Sequence, residues 1–328
     1  MMDRMILVAG AGGFIGGHLV KSLLDIHHPS LIRAVDIKPL EDWDQVHPGV
    51  QNVDHANLGR RPVAYESVRD VKTVYNLACD MGGMGFIENN KKACMMSVLI
   101  NTHLLEAAEM NRVERYFYAS SACVYNGHRQ DSNDVVYLRE EDAYPADAED
   151  GYGWEKLFSE RLCNHFAQET QMDVRVARFH NVYGPNGTWY GGREKAPAAI
   201  CRKVLEAMQS PSREIEIWGD GTQKRSFMFI EDCLLGIHRI CANDIPYPIN
   251  LGTSETVTIN QLVDVVEDIA GFKCVRKYNL GAPQGVRSRS SDNTLIKRDT
   301  GWEPSTPLRD GMERTFRWIQ EEFNRCQS

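Results

Sequence analysis

The chain has 328 residues, enough for one large or two modest domains with a sizeable buried core. It is 42% hydrophobic, 25% charged and 9% aromatic, ordinary for a globular protein, and 37 basic against 45 acidic residues leave a net charge of −8. That balance excludes a generic nucleic-acid or anionic-membrane binder, which needs a positive surface, but it permits a local basic patch for a phosphorylated small molecule.

Taken in chain order, MILVAG (5–10) predicts a strand and Phe14 to Ile26 an amphipathic helix. LIRAVD (31–36) and VKTVYNL (71–77) predict further strands, Ala93 to Met110 a long helix, and RYFYAS (115–120) another strand. Tyr152 to Thr170 follows as a helix and DVRVARF (173–179) as a strand. Strand–helix alternation with apolar strands means parallel pairing, hence an α/β fold with a doubly wound, Rossmann-type sheet.

From about residue 182 the rhythm changes. Loops rich in Gly, Pro and Trp (YGPNGTWYGGREKAP, WGDGTQKRS, LGAPQGVRSRSSDN) separate shorter elements. The division predicted is a first domain over 1–181, with a return segment near 226–253 read as strand plus helix, and a smaller mixed α/β domain over 182–328. No apolar run approaches the roughly 20 residues needed to span a bilayer. The first apolar stretch lacks the flank and cleavage site of a signal peptide. Nine cysteines are scattered singly, with no CxxC pair and no Cys/His cluster of zinc spacing, which fits a reducing, cytoplasmic setting and no metal.

Directly after the first strand comes GAGGFIG, placing Gly10, Gly13, Phe14, Ile15 and Gly16 at a strand-to-helix turn. Glycines there let a pyrophosphate approach backbone N–H groups at a helix N-terminus, where side chains would block it. Asp36 ends the next strand, twenty residues after Gly16, where a carboxylate binds ribose hydroxyls and repels a 2′-phosphate. NAD is therefore the expected cofactor, although Lys38 lies close by.

Tyr152 and Lys156 lie four apart, on one helix face. A free tyrosine has a pKa of roughly 10, and a nearby ammonium favours its phenolate, giving a base for a sugar hydroxyl. Ser121, ending the strand before that helix, can hydrogen-bond the same oxygen. The glycine motif, Asp36, Ser121 and YxxxK together resemble the extended short-chain dehydrogenase/reductase superfamily, which acts largely on nucleotide sugars and carries its substrate domain C-terminally.

SSACVYN (120–126) follows the strand before that helix. Members of the superfamily that eliminate water carry an Asp-Glu pair here; Ala122 and Cys123 replace it. The bland reading of Cys123 is a small buried residue. The sharper one is an acid/base: a ketone at carbon 4 of a sugar acidifies the hydrogens on carbons 3 and 5, and a thiol with a pKa near 8.5 can act there if the site lowers it somewhat. Lys195, on a loop just before a helix starting near Pro197, reads from spacing alone as a surface lysine.

The runs MGGMGFIENN (81–90), SSACVY (120–125), RFHNVYGP (178–185), GTWYGGREKAPAAICRK (187–203), WGDGTQKRSF (218–227) and GVRSRSSDN (285–293) closely resemble the GDP-mannose 3,5-epimerase family, over nearly the whole chain. The resemblance implies that Tyr152, Lys156 and Ser121 serve oxidoreduction at carbon 4 and that Cys123 and Lys195 exchange protons at carbons 5 and 3. It implies that Gly82, Gly83, Asn181, Glu194, Lys203, Gln223, Arg225 and Arg287 surround the sugar and diphosphate of GDP-mannose. It also implies that Asp54 contacts adenine, that the products are GDP-L-galactose and GDP-L-gulose, and that the protein is a homodimer through helices of its first domain. Without it, GVRSR reads as a solvated basic stretch. Asn126-Gly127-His128 departs from the plant members, which have Pro-Glu-Phe after the tyrosine.

Three other readings stand beside this one. A GDP-fucose synthase-like enzyme would consume NADPH, against which Asp36 argues. A nucleotide-sugar 4-epimerase needs only the triad and no thiol. A non-catalytic NAD-binding subunit keeps the glycines but commonly loses the catalytic Tyr or Lys, both of which are present here.

Overall fold

The computed structural model describes residues 4–132 and 134–327. The N-terminal half runs β1 (Met5–Ala9), α1 (Phe14–Leu24), β2 (Ile32–Val35), β3 (Gln51–Val53), α2 (Arg61–Ser67), β4 (Val71–Asn76), α3 (Met84–Asn89), α4 (Lys91–Met96), α5 (Val98–Met110) and β5 (Arg115–Ser121). It continues through β6 (Tyr137–Leu138), α6 (Asp150–Glu169), β7 (Asp173–Phe179) and β8 (Asn181–Tyr183). Then come α7 (Ala196–Gln209), β9 (Glu214–Trp218), β10 (Lys224–Phe229), α8 (Ile230–Ala242), β11 (Ile249–Leu251), β12 (Thr256–Thr258), α9 (Ile259–Ala270), β13 (Val275–Asn279), β14 (Ser288–Ser291), α10 (Thr294–Thr300) and α11 (Leu308–Gln327).

A seven-stranded sheet has the order β11-β7-β5-β4-β1-β2-β3, every pair parallel. Leu7, Val8 and Ala9 are fully buried because helices cover both faces, the environment that a parallel sheet requires. The strand order reverses at β1, which pairs with β2 on one side and β4 on the other. Crevices at such a switch point, outside the C-terminal strand ends, are where doubly wound sheets bind ligands. Gly10, Ser121 and the residues after Asn76 all emerge there.

A smaller sheet, β12-β10-β14-β6 with β8 on β10, combines strands of the second half with β6 and β8, and β13-β9 form a two-stranded ribbon. The segment near 226–253 divides between the two halves. β10 joins the small sheet rather than the first domain, because its edges pair with β8, β12 and β14. The helix after it, α8, packs beside α1, β7 and β11, and β11 is the terminal strand of the large sheet. The single helix expected over 93–110 is broken at Ser97, whose Oγ accepts the Asp80 backbone N–H at 2.9 Å.

Candidate active site

The glycine turn after β1 is shaped by close approach. Gly10 holds a left-handed φ of +82°, and a Cβ there would lie 2.9 Å from the Ala78 backbone nitrogen. A Cβ on Gly16 would sit 2.1 Å from the Gly10 carbonyl oxygen, so the first turn of α1 can pack on the turn only as glycine. A cavity of about 860 Å³ opens over this turn, lined by Gly10, Gly13, Phe14, Ile15, Gly16 and Asp36. Asp36 accepts the Gly12 N–H at 2.9 Å and the Lys38 N–H at 3.0 Å. Lys38 turns its ammonium onto the Gly12 carbonyl at 2.9 Å. Asp44 lines the same end of the cavity, its carboxyl raised by burial with a contribution from Asp36. A glycine cradle at a helix N-terminus, with Asp36, Asp42 and Asp44 in the same cavity lining, fits a dinucleotide that lacks a 2′-phosphate. Asp54 lies outside this lining; it accepts the Leu40 N–H at 3.2 Å.

A second cavity, of about 310 Å³, lies between the large sheet and the smaller domain. The two share Ser121, Tyr152 and Lys195, together with Gly82 and His180. Cys123, Gly83, Asn181, Glu194, Lys203, Gln223 and Arg225 line the second cavity and not the first.

At the junction, Ser121 ends β5 and its Oγ accepts the Cys123 N–H at 3.2 Å, fixing the short helical turn that carries the thiol. Tyr152 enters from the first turn of α6 and, like Ser121, lines both cavities. Burial, with Cys79, Cys123 and Glu155 nearby, drives the Tyr152 hydroxyl well above its ordinary pKa. The Lys156 ammonium lies 5.6 Å from the Tyr152 ring centroid and 4.8 Å from that of Tyr118. It is buried outside both cavity linings, 3.6 Å from Glu155 Oε2, so its charge is partly spent within α6.

Cys123 is surrounded by groups that spacing did not reveal. Arg289 of β14 points Nη1 at its sulfur at 3.5 Å, while Nη2 is paired with Glu149 at 2.7 Å and Nε donates to Gln130 Oε1 at 2.6 Å. Burial and the Glu149 carboxylate push the Cys123 thiol up, and Arg289 pulls it down; the net effect is upward, opposite to the lowering a free-standing base needs. Lys195 is the N-cap residue of α7, on the loop before Pro197, and removal from bulk water lowers its ammonium pKa.

The remaining positions surround the second cavity through backbone anchoring. Gly83 donates to the Arg193 carbonyl at 3.0 Å, and a Cβ there would lie 2.4 Å from the Glu194 carbonyl oxygen. Glu194 pairs with Arg202 at 3.0 Å. Asn181 donates to the Ser226 carbonyl at 3.1 Å, Gln223 to that of Trp218 at 2.8 Å, and Lys203 to that of Glu216 at 2.7 Å. Arg225 donates to the carbonyls of Lys224, Gln284 and Val286, and burial lowers its pKa to about 10. Arg287 lies outside this lining, 3.7 Å from Asp220; the arginine of GVRSR that reaches the cavity is Arg289.

His180, also missed by spacing, is buried between the cavities. Its Nε2 faces Asn250 Oδ1 at 3.0 Å, and burial lowers its pKa to about 4, so the ring is neutral. Among the described residues, no helix is long and apolar enough to cross a membrane.

Residues 6–252 match the NAD dependent epimerase/dehydratase family. The sequence is 42% identical over 321 residues to GDP-mannose 3,5-epimerase 1 of rice (Oryza sativa subsp. indica), covering 98% of this chain and 82% of that one. It is 41% identical over 323 residues to GDP-mannose 3,5-epimerase of Arabidopsis thaliana, covering 98% and 83% respectively. Among solved structures, UDP-glucuronic acid 4-epimerase from Bacillus cereus, determined with UDP-glucuronic acid and NAD, matches with a TM-score of 0.81 and 23% identity over 97% of this chain and 99% of its own. That last likeness is one of fold.

Proposed function

The chain belongs to the NAD-dependent epimerase/dehydratase family and groups within it with the GDP-mannose 3,5-epimerases, and from that membership we propose that this isomerase inverts carbons 3 and 5 of GDP-mannose. The products would be GDP-L-galactose and, where carbon 5 alone is inverted, GDP-L-gulose. The observation that carries this reading is the junction of the two cavities at Ser121, Tyr152 and Lys195, with Cys123 on the substrate side.

The residues present fit NAD: the Gly10–Gly16 turn receives the pyrophosphate, and Asp36 receives the adenosine ribose. When bound, NAD supplies a reversible hydride acceptor for carbon 4, so that no net redox occurs and no external reductant is consumed. Tyr152 takes the proton of the carbon 4 hydroxyl, with Ser121 orienting that oxygen and the Lys156 ammonium favouring the phenolate. With carbon 4 at the ketone level, the hydrogens on carbons 3 and 5 become acidic. Cys123 and Lys195, which come from different elements of the cavity wall, then remove a proton from one face and deliver one to the other. Arg225 and Lys203 neutralise the diphosphate, and Gly82 and Gly83 let the loop after β4 approach the sugar.

A homodimer in the cytoplasm belongs to the same proposal. Met95 and Met96 of α4 and Trp154 and Phe158 of α6 are exposed on two helices that pack together, an apolar patch suited to a second copy. All nine cysteines are free thiols, as a reducing compartment favours.

The test is incubation with GDP-mannose and no added reductant, with the products identified by NMR. GDP-L-galactose supports the proposal. A carbon 4 epimer alone, or turnover that requires NADPH, overturns it.

A further inference from the structure

The Cys123 thiol does not face the cavity alone. The Glu149 backbone N–H donates to the Cys123 carbonyl at 2.9 Å, and a Cβ on Gly153 would lie 2.2 Å from that same oxygen. The start of α6 is thereby clamped onto the turn that carries the thiol, which places the Glu149 carboxylate on the same guanidinium that points at the Cys123 sulfur. Arg289 closes the triangle, 2.7 Å from Glu149 Oε2 and 3.5 Å from Cys123 Sγ. The Glu149 side chain keeps 12% of its surface exposed, whereas that of Arg289 keeps 7%.

We propose that Glu149 is the proton relay of Cys123, accepting the thiol proton when Cys123 must act as a base and passing it on to solvent. This rests on the epimerase reading. In the resting site the thiol is protonated and the carboxylate ionised. Burial and Glu149 hold the thiol pKa up, while Arg289 and the thiol hold the Glu149 carboxyl down. A neutral thiol removes no proton from carbon, so its own proton needs a local acceptor.

The groups facing the pair are Arg289 from β14, Arg225 from β10, Tyr152 from α6, Lys195 at the start of α7 and Ser121 from β5. The guanidinium groups accept nothing, and the Ser121 hydroxyl is too weak a base. Tyr152 is committed to the carbon 4 hydroxyl and Lys195 to the opposite face of the sugar. Glu149 remains. In the transfer the S–H bond breaks and a carboxyl O–H forms. The negative charge moves from oxygen to sulfur, both beside Arg289, and no electrons leave the pair. The thiolate then takes the proton from carbon, re-forming S–H, and Glu149 releases its proton to water through its exposed edge. Glu149 acts through Cys123 and is a positioning and relay residue.

The test compares Glu149→Gln, which keeps an acceptor for Arg289, with Glu149→Asp, which keeps the carboxylate. Iodoacetamide labelling of Cys123 in the unliganded protein, followed by peptide mass spectrometry across pH, reads the thiol directly. The Gln variant is expected to move the labelling midpoint down by about one pH unit, because a carboxylate that raises the thiol is gone. Exchange of the carbon 5 hydrogen of GDP-mannose with deuterium oxide is expected to slow by about 10-fold or more in the Gln variant, with KM within about threefold of the unmodified protein. The Asp variant should retain both properties. An unmoved labelling midpoint, exchange at the unmodified rate in the Gln variant, or identical behaviour of the two variants would overturn the proposal. Absence of carbon 5 exchange in the unmodified protein would instead sink the epimerase reading, and the labelling arm would still decide whether Glu149 governs the thiol.

Discussion

The ammonium of Lys156 lies 3.6 Å from the carboxylate of Glu155, its immediate neighbour on α6, and both side chains are almost sealed from water. Adjacent positions on a helix ordinarily diverge, and here the two charges are held close while both are buried. Glu155 Oε1 meanwhile accepts from Tyr118 and Ser159, at 3.2 and 2.9 Å. Both charges lie near Tyr152, and the Glu155 carboxylate contributes to raising its hydroxyl.

Glu155→Gln keeps an acceptor for Tyr118 and Ser159 but strands the Lys156 ammonium. Stability in urea unfolding is expected to fall by about 3 kcal/mol, the usual cost of breaking a buried pair from one side. Because the Glu155 carboxylate raises the Tyr152 hydroxyl, its removal favours the phenolate. A base that loses its proton more easily works at lower pH, so the acid limb of the pH–rate profile should move down. An unmoved limb with unchanged stability would contradict this role.

Asp36→Ser removes the carboxylate proposed to receive the ribose in the cavity over the glycine turn. NAD affinity, measured by fluorescence titration of the cofactor-free protein, should drop about 10-fold or more, the worth of hydrogen bonds to a charged acceptor. The preference for NAD over NADP should narrow. Asp44 still lines that cavity, so adding Asp44→Asn should narrow the preference further. An unchanged preference in the double variant would show that these carboxylates do not read the ribose.

Gly83→Ala places a methyl group where 2.4 Å separates it from the Glu194 carbonyl oxygen, in the peptide leading into Lys195. The loop must move, and a displacement near 1 Å costs on the order of 100-fold in rate. Gly83 does not line the cofactor cleft, so NAD binding should be unaffected. Loss of NAD affinity together with rate would mean the substitution disrupts more than the Lys195 loop.

Much of this architecture is legible in the sequence because its signals are local. The apolar and β-branched residues of MILVAG and DVRVARF mark buried strands, and the fixed spacing of the glycine turn and Asp36 is enough to place them in one cavity. β3 and β14 are not legible in that way. Gln51–Val53 is short with two polar residues of three, and Ser288–Ser291 is four polar or charged residues, all buried. Hydrophobic periodicity is silent where a strand hides polar side chains, so Arg289 reads as solvated until β14 is paired with β6 and β10. The placement of Tyr152 and Lys156 on one helix is legible from their spacing. The Glu155 that holds the lysine, and the Glu149 and Arg289 that flank the thiol, depend on tertiary contacts that no spacing encodes.

In the proposed reaction carbon 4 alone exchanges hydride while its two neighbours exchange protons with water. GDP-mannose carrying deuterium at carbon 4, incubated with the enzyme in ordinary water, tests it most directly when the epimerised product is read by NMR and mass spectrometry. Full retention of the label at carbon 4 is expected and, in the converse experiment in deuterium oxide, solvent label at carbons 5 and 3. Loss of the carbon 4 label to water, or inversion of carbon 5 without solvent label, would contradict it.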